Sequence, residues 1–304
     1  MRDDRPGRLA LTWGMSMKFA WRLAGAKMPM TAALLLTALG AVAAVTASAA
    51  GPVSPADSAA MAARREARRS TSRVDLAIGT LHMALRDDIV CPLKWSGPGG
   101  TLEAGYWRRS RGGRSGVELS LPLGLLNNRY GHRAGALGLR VGYTNLRHLA
   151  DPRGRGSIFL GGCVRRDSDL DLYVDWDDEH LYWITTYDLG VAARHEVQLK
   201  NGHDLEFQAV LPVVSLVSRP PRRRFYKIDD FKNPGFYLTK PQESLRFTAL
   251  GELVSFDASV SYAFAAAGSW AFRAQYGFSY RRYTRPETIV ERSSTFTLRA
   301  TYDF

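Results

Sequence analysis

Between residues 167 and 179 the chain gathers carboxylates at Asp167, Asp169, Asp171, Asp175, Asp177, Asp178 and Glu179. Clustered carboxylates are the ligands a hard divalent cation takes. This run lacks the glycine and the closing glutamate of an EF-hand, and Asp alternating with Leu and Tyr equally describes a strand with one wet face. No metal site is assigned. His180 follows Asp177, Asp178 and Glu179, an acid–histidine grouping that could activate a water, although a solvated hairpin tip accounts for the same residues. His132 closes Asn127-Asn-Arg-Tyr-Gly-His with no nucleophile beside it. No catalytic residue is assigned and no cofactor is implied.

A second grouping is basic. Arg219, Arg222, Arg223, Arg224 and Lys227 share one long connection, and clustered guanidinium groups suit phosphate oxygens. The formal charge of +12 invites a nucleic-acid reading. Scattered arginines argue against it, since the excess sits near the N-terminus, in 64–73 and in 219–227. Cys91 and Cys163 could pair in an oxidising compartment, but two cysteines make no zinc motif.

A third set lies on strands. Trp270, Phe272, Ala274, Tyr276, Phe278 and Tyr280 interleave with Ala271, Arg273, Gln275, Gly277, Ser279 and Arg281. Val254 to Phe264 and Thr295 to Phe304 repeat the pattern, with period two placing bulky residues on one face and small or charged ones on the other. The same parity runs more loosely through 74–85, 101–108, 116–125, 135–146, 157–164, 181–200 and 205–213, about ten strands in all. Asn201-Gly202 is a tight-hairpin signal. The segment from Asp169 to Trp176 either extends a strand or adds a hairpin, which would make twelve. The polar face then carries Glu103, Glu118, Arg140, Asp188, Arg194, Glu196, Glu206, Asp257, Arg273, Arg281 and Arg299.

Upstream, Lys18, Arg22 and Lys27 precede the apolar run 31–40, which ends near Ala47-Ser48-Ala49. Basic head, short apolar stretch and small-residue exit describe a secretory signal peptide. The expected organisation is a leader over 1–50, a periplasmic tail over 51–73 and a β domain over 74–304. Mean hydropathy is −0.20, far too polar for a helical membrane bundle but compatible with a barrel in which alternate residues face lipid.

Leu298, Ala300, Tyr302 and Phe304 give the last strand an apolar face with an aromatic final residue. That ending resembles the C-terminal assembly signal of bacterial outer-membrane β-barrels. The resemblance implies a transmembrane antiparallel up-and-down barrel in the outer membrane, folded there by the barrel-assembly machinery. Its partners would be membrane lipid and lipopolysaccharide, the latter on the basic connection, with no nucleic acid. Tyr106, Trp107, Trp176, Trp183, Trp270, Tyr280, Tyr283 and Tyr302 would supply the interfacial girdles. No histidine stands in the Asn-His-x-Ser context of outer-membrane phospholipases. Three functions remain open: a small channel or passive transporter, a plugged structural or envelope-interaction barrel, and an outer-membrane hydrolase of phospholipase or protease type.

Overall fold

The computed structural model describes residues 71–110, 112–151, 156–175, 180–199, 203–220, 242, 244–265 and 269–304. The leader, the tail as far as residue 70, Asn201-Gly202, Trp176 and Asp177 to Glu179 lie outside the described residues. So do Arg222, Arg223, Arg224 and Lys227.

Strands β1 (Ser72–Asp87), β2 (Cys91–Ser110), β3 (Gly113–Asn128), β4 (Arg133–Ala150), β5 (Gly156–Tyr173) and β6 (His180–Gln198) follow one another as antiparallel neighbours. Next come β7 (Asp204–Ser218), β8 (Arg246–Ala249), β9 (Leu253–Ala265), β10 (Trp270–Tyr283) and β11 (Ile289–Asp303). β11 pairs with β1 from Arg73↔Asp303 to Asp87↔Ile289, which closes the sheet on itself. β8 and β9 both pair with β7 and share one place in the wall, so the eleven segments form ten staves. Gly251, with φ of 122°, turns the chain between them. Closure removes every exposed sheet edge.

Several strands are longer than alternation alone marks out. β1 begins at Ser72, inside the segment assigned to the tail, because Arg73 already faces inward beside Asp75. β5 runs to Tyr173, so Asp167, Asp169 and Asp171 belong to a strand rather than a loop. The segment after Asp169 therefore extends a stave and adds no hairpin. β2 starts at Cys91, where Pro92, Gly97, Pro98, Gly99 and Gly100 erase the alternation. A bilayer needs about 9–11 residues per tilted strand, and the surplus length projects beyond it.

Parity decides the interior. Paired residues share a face, so Asp75, Gly105 and Glu118 point the same way, as do Arg140, Asp167 and Thr186. That common face is the inside of the barrel.

Candidate functional site: the charged interior

The interior is layered. At the end bearing Ser72 and Phe304, Arg299 bonds Glu103 at 2.7 Å and reaches Asp75 at 3.4 Å, while Arg73 holds Asp75 at 2.9 Å. Glu206 collects Arg194, Arg273 at 3.3 Å and Arg114 at 3.9 Å. Glu196 collects Arg109 at 3.1 Å, Arg194 at 3.5 Å and Arg114. The Arg114 and Arg194 guanidinium groups both lie over the Trp107 ring, 5.5 and 4.8 Å from its centroid. The indole packs over Gly116, where any Cβ would collide with it.

Nearer the opposite end, Arg165 bonds Asp257 and holds Asp167 at 3.1 Å and Asp188 at 3.7 Å. Arg281 bonds Asp169 at 2.6 Å, Glu291 at 2.9 Å and Asp167 at 3.2 Å. Several of these pairs are chords across the bore, joining β3 to β6, β2 to β6, or β5 to β10. Between the two layers lies a cavity of about 200 Å³, lined by Glu103, Glu118, Arg140, Cys163, Gln208 and Ser279 among others.

Beyond the upper layer the interior turns apolar. Leu85, Ile89, Trp95, Leu126, Tyr173, Tyr182, Ile184, Leu253, Tyr283 and Ile289 pack into one buried cluster. Trp95 and Tyr173 meet edge to face at 5.0 Å, and both are fully buried. This cluster fills the mouth.

Every residue of the predicted polar face thus sits inside, and the network draws in others. Arg73, Asp75, Arg109, Arg114, Arg165 and Glu291 share the same parity, which could have found them. Parity also corrects two girdle assignments. Trp107 and Tyr283 point inward and are buried, whereas Tyr106, Trp270 and Tyr302 face outward. Tyr280 meets Phe256 in a tilted contact at 5.9 Å, and Trp183 packs with Leu181. Arg219 is not a loose loop cation. It is buried against Asp87 and donates to the Glu287 carbonyl at 2.6 Å, so it offers nothing to an external phosphate. Cys91 and Cys163 are both free thiols, one near the mouth and one facing the central cavity. The pairing left open by the sequence does not occur.

Of the hydrolase candidates, the acidic neighbours of His180 lie outside the described residues. His132 is exposed in the β3–β4 turn, held by its backbone to Asn128 Oδ1 at 3.1 Å. A histidine, an acid and a serine do meet at the other end of the barrel. There Asp151 Oδ1 lies 2.8 Å from His148 Nε2 and accepts from Ser157 Oγ at 2.8 Å. The carboxylate stands between them, so the imidazole bonds the aspartate and not the serine, unlike the nucleophile–base pair of a hydrolase.

The exterior is the reverse of a soluble protein's. Leu125 is 72% exposed and Ile78 65%, whereas Arg281 is 5% exposed. Leu76, Leu102, Leu137, Leu189, Phe272, Phe296 and Leu298 extend the apolar surface around the wall. Soluble monomers rarely expose a contiguous apolar patch beyond a few hundred Å². This is a membrane-spanning β-barrel. Leu298, Ala300, Tyr302 and Phe304 lie on that exterior face, with the Trp270 and Tyr302 rings tilted against each other 5.0 Å apart near the lower rim.

No family model matches the sequence, and no curated protein matches it. Among solved structures, the outer membrane protease OmpT from Escherichia coli is similar with a TM-score of 0.48 at 5% identity, over 77% of this chain and 96% of that one. The translocator domain of the autotransporter NalP from Neisseria meningitidis gives 0.44 at 10% identity, over 82% and 98%. A Pseudomonas aeruginosa FadL homologue gives 0.29 at 8%, over 77% and 90%.

Proposed function

We propose that this chain is a closed barrel of the bacterial outer membrane, serving the envelope as a structural or interaction surface and passing no solute. The reading rests on one observation: side chains occupy the bore at three levels, two of them ionic and one apolar. A channel that selects by charge needs charged rings around open water. Here nearly every inward-facing guanidinium among the described residues is paired with a carboxylate, several of them across the lumen, and a small barrel has little width left over. The end bearing Ser72 and Phe304 faces the periplasm in this reading. The longest connection, residues 219–245, is then external, as is usual for such barrels. Assembly by the barrel-assembly machinery and contact with lipopolysaccharide belong to the same reading.

The central cavity supports a second reading, a gated passage for small solutes, which would require the apolar seal to move. Conductance in planar bilayers separates the two. The closed barrel gives no unitary steps from the refolded wild type, while Trp95→Ala with Tyr173→Ala, which empties the seal, produces them. Steps from the wild type would favour the passage.

A further inference from the structure

The lipid-facing surface is uneven in one place. Leu76 is cross-strand neighbour to Ala300 on one side and to Ala104 on the other. Ala300 in turn neighbours Phe272, and Ala104 neighbours Leu119. One row across β10, β11, β1, β2 and β3 therefore reads large, small, large, small, large. The alanines leave hollows on either side of Leu76, and these join a groove of about 660 Å³ walled by Ile78, Leu102 and Leu298.

Directly below, toward Ser72 and Phe304, the same face changes character. Tyr106 and Tyr302 flank Val74, and the next residue down on β2 is Arg108, paired in register with Ser72. Ser72 Oγ and Tyr106 Oη lie 3.1 Å apart. Arg108 is exposed, and among the described residues no carboxylate bonds it. A forked apolar groove thus ends at the rim in a guanidinium and two hydroxyls. We propose that this face holds one diacyl glycerophospholipid, its acyl chains straddling Leu76 and its phosphate on Arg108.

The charge pattern favours a lipid over a second copy of this chain. A two-fold contact centred on Leu76 brings the two Arg108 residues to the same depth, where like charges oppose it. A phosphodiester instead supplies the missing anion, and guanidinium–phosphate bonds are strong. The inference rests on the membrane-spanning reading, and its test fails differently. A chain recovered without detergent would sink that reading, whereas unselective lipid retention sinks only this site.

The experiment is native mass spectrometry of the full barrel released from nanodiscs of palmitoyl-oleoyl phosphatidylethanolamine or phosphatidylglycerol. The wild type is expected to keep one phospholipid. Arg108→Gln and the groove-filling Ala104→Phe/Ala300→Phe should each lower that retention about tenfold, the scale of one charge-assisted hydrogen bond. Arg147→Gln, which removes an exposed arginine on β4 away from the groove, should leave it unchanged. Heat-modified migration on gels reports that each variant has folded. Equal retention of both lipids keeps phosphate as the recognised group, and a preference assigns the headgroup. Equal retention by all variants means annular lipid only and overturns the proposal, as does a wild-type dimer that the filled groove abolishes.

Discussion

Arg281 of β10 donates to Asp169 of β5 at 2.6 Å, although the two strands stand on opposite sides of the wall. The same guanidinium also bonds Asp167 and Glu291. Removing one partner of a buried ion pair costs about 3–5 kcal/mol, because the stranded charge keeps its desolvation penalty. Arg281→Ala should therefore lower the unfolding free energy of the refolded barrel by that scale, read as a lower urea midpoint. Adding Asp167→Asn and Asp169→Asn should restore much of the loss, since two of the stranded charges then disappear. An unchanged midpoint in the single variant would mean the pairs contribute nothing.

Trp107 and Gly116 are cross-strand neighbours on β2 and β3, and the indole lies where a Cβ on residue 116 would have to go. Gly116→Ala should destabilise by about 1–3 kcal/mol, the usual cost of overpacking. In a Trp107→Leu background most of that cost should vanish. A double-mutant cycle in denaturant measures the coupling, and additive effects would refute the contact.

Outside the spanning region, Asp175 accepts from the Arg133 side chain and from the Arg133 backbone N–H at 2.7 Å. These hydrogen bonds hold its carboxyl below the ordinary aspartate value. A depressed folded-state pKa means the contribution is present above the unfolded value, near pH 3.9, and is lost as pH falls through the lower folded one. Carboxyl NMR should show Asp175 titrating below an ordinary aspartate, and Arg133→Gln should return it toward normal. Arg133 is solvent-exposed and Asp175 partly so, and the effect on global stability should be small.

Alternation made β9 and β10 legible almost to the residue, because Val254 to Ala263 and Trp270 to Arg281 put bulky side chains outward and small or charged ones inward without interruption. The start of β2 was hidden by glycines and prolines that carry no inside–outside signal. The upper half of β5 was hidden by its own chemistry, since its carboxylates read as solvated until Arg281 arrives from β10 and Arg165 of the same strand folds back on Asp167. Arg219 shows the same limit. Its partner Asp87 lies far off in sequence, and nothing local marks a loop arginine as buried. Parity could list which charges face inward, but not which meet across the bore.

Cys163 and Cys91 supply the most direct test of a shut interior, because the chain carries its own two reporters. Cys163 faces the central cavity and is 5% exposed, while Cys91 lies near the mouth and is partly exposed. A charged methanethiosulfonate reagent applied to the folded barrel in membranes should modify Cys91 and leave Cys163 untouched until the seal is removed. Rapid labelling of Cys163 in the wild type would show a continuous water path and contradict the account.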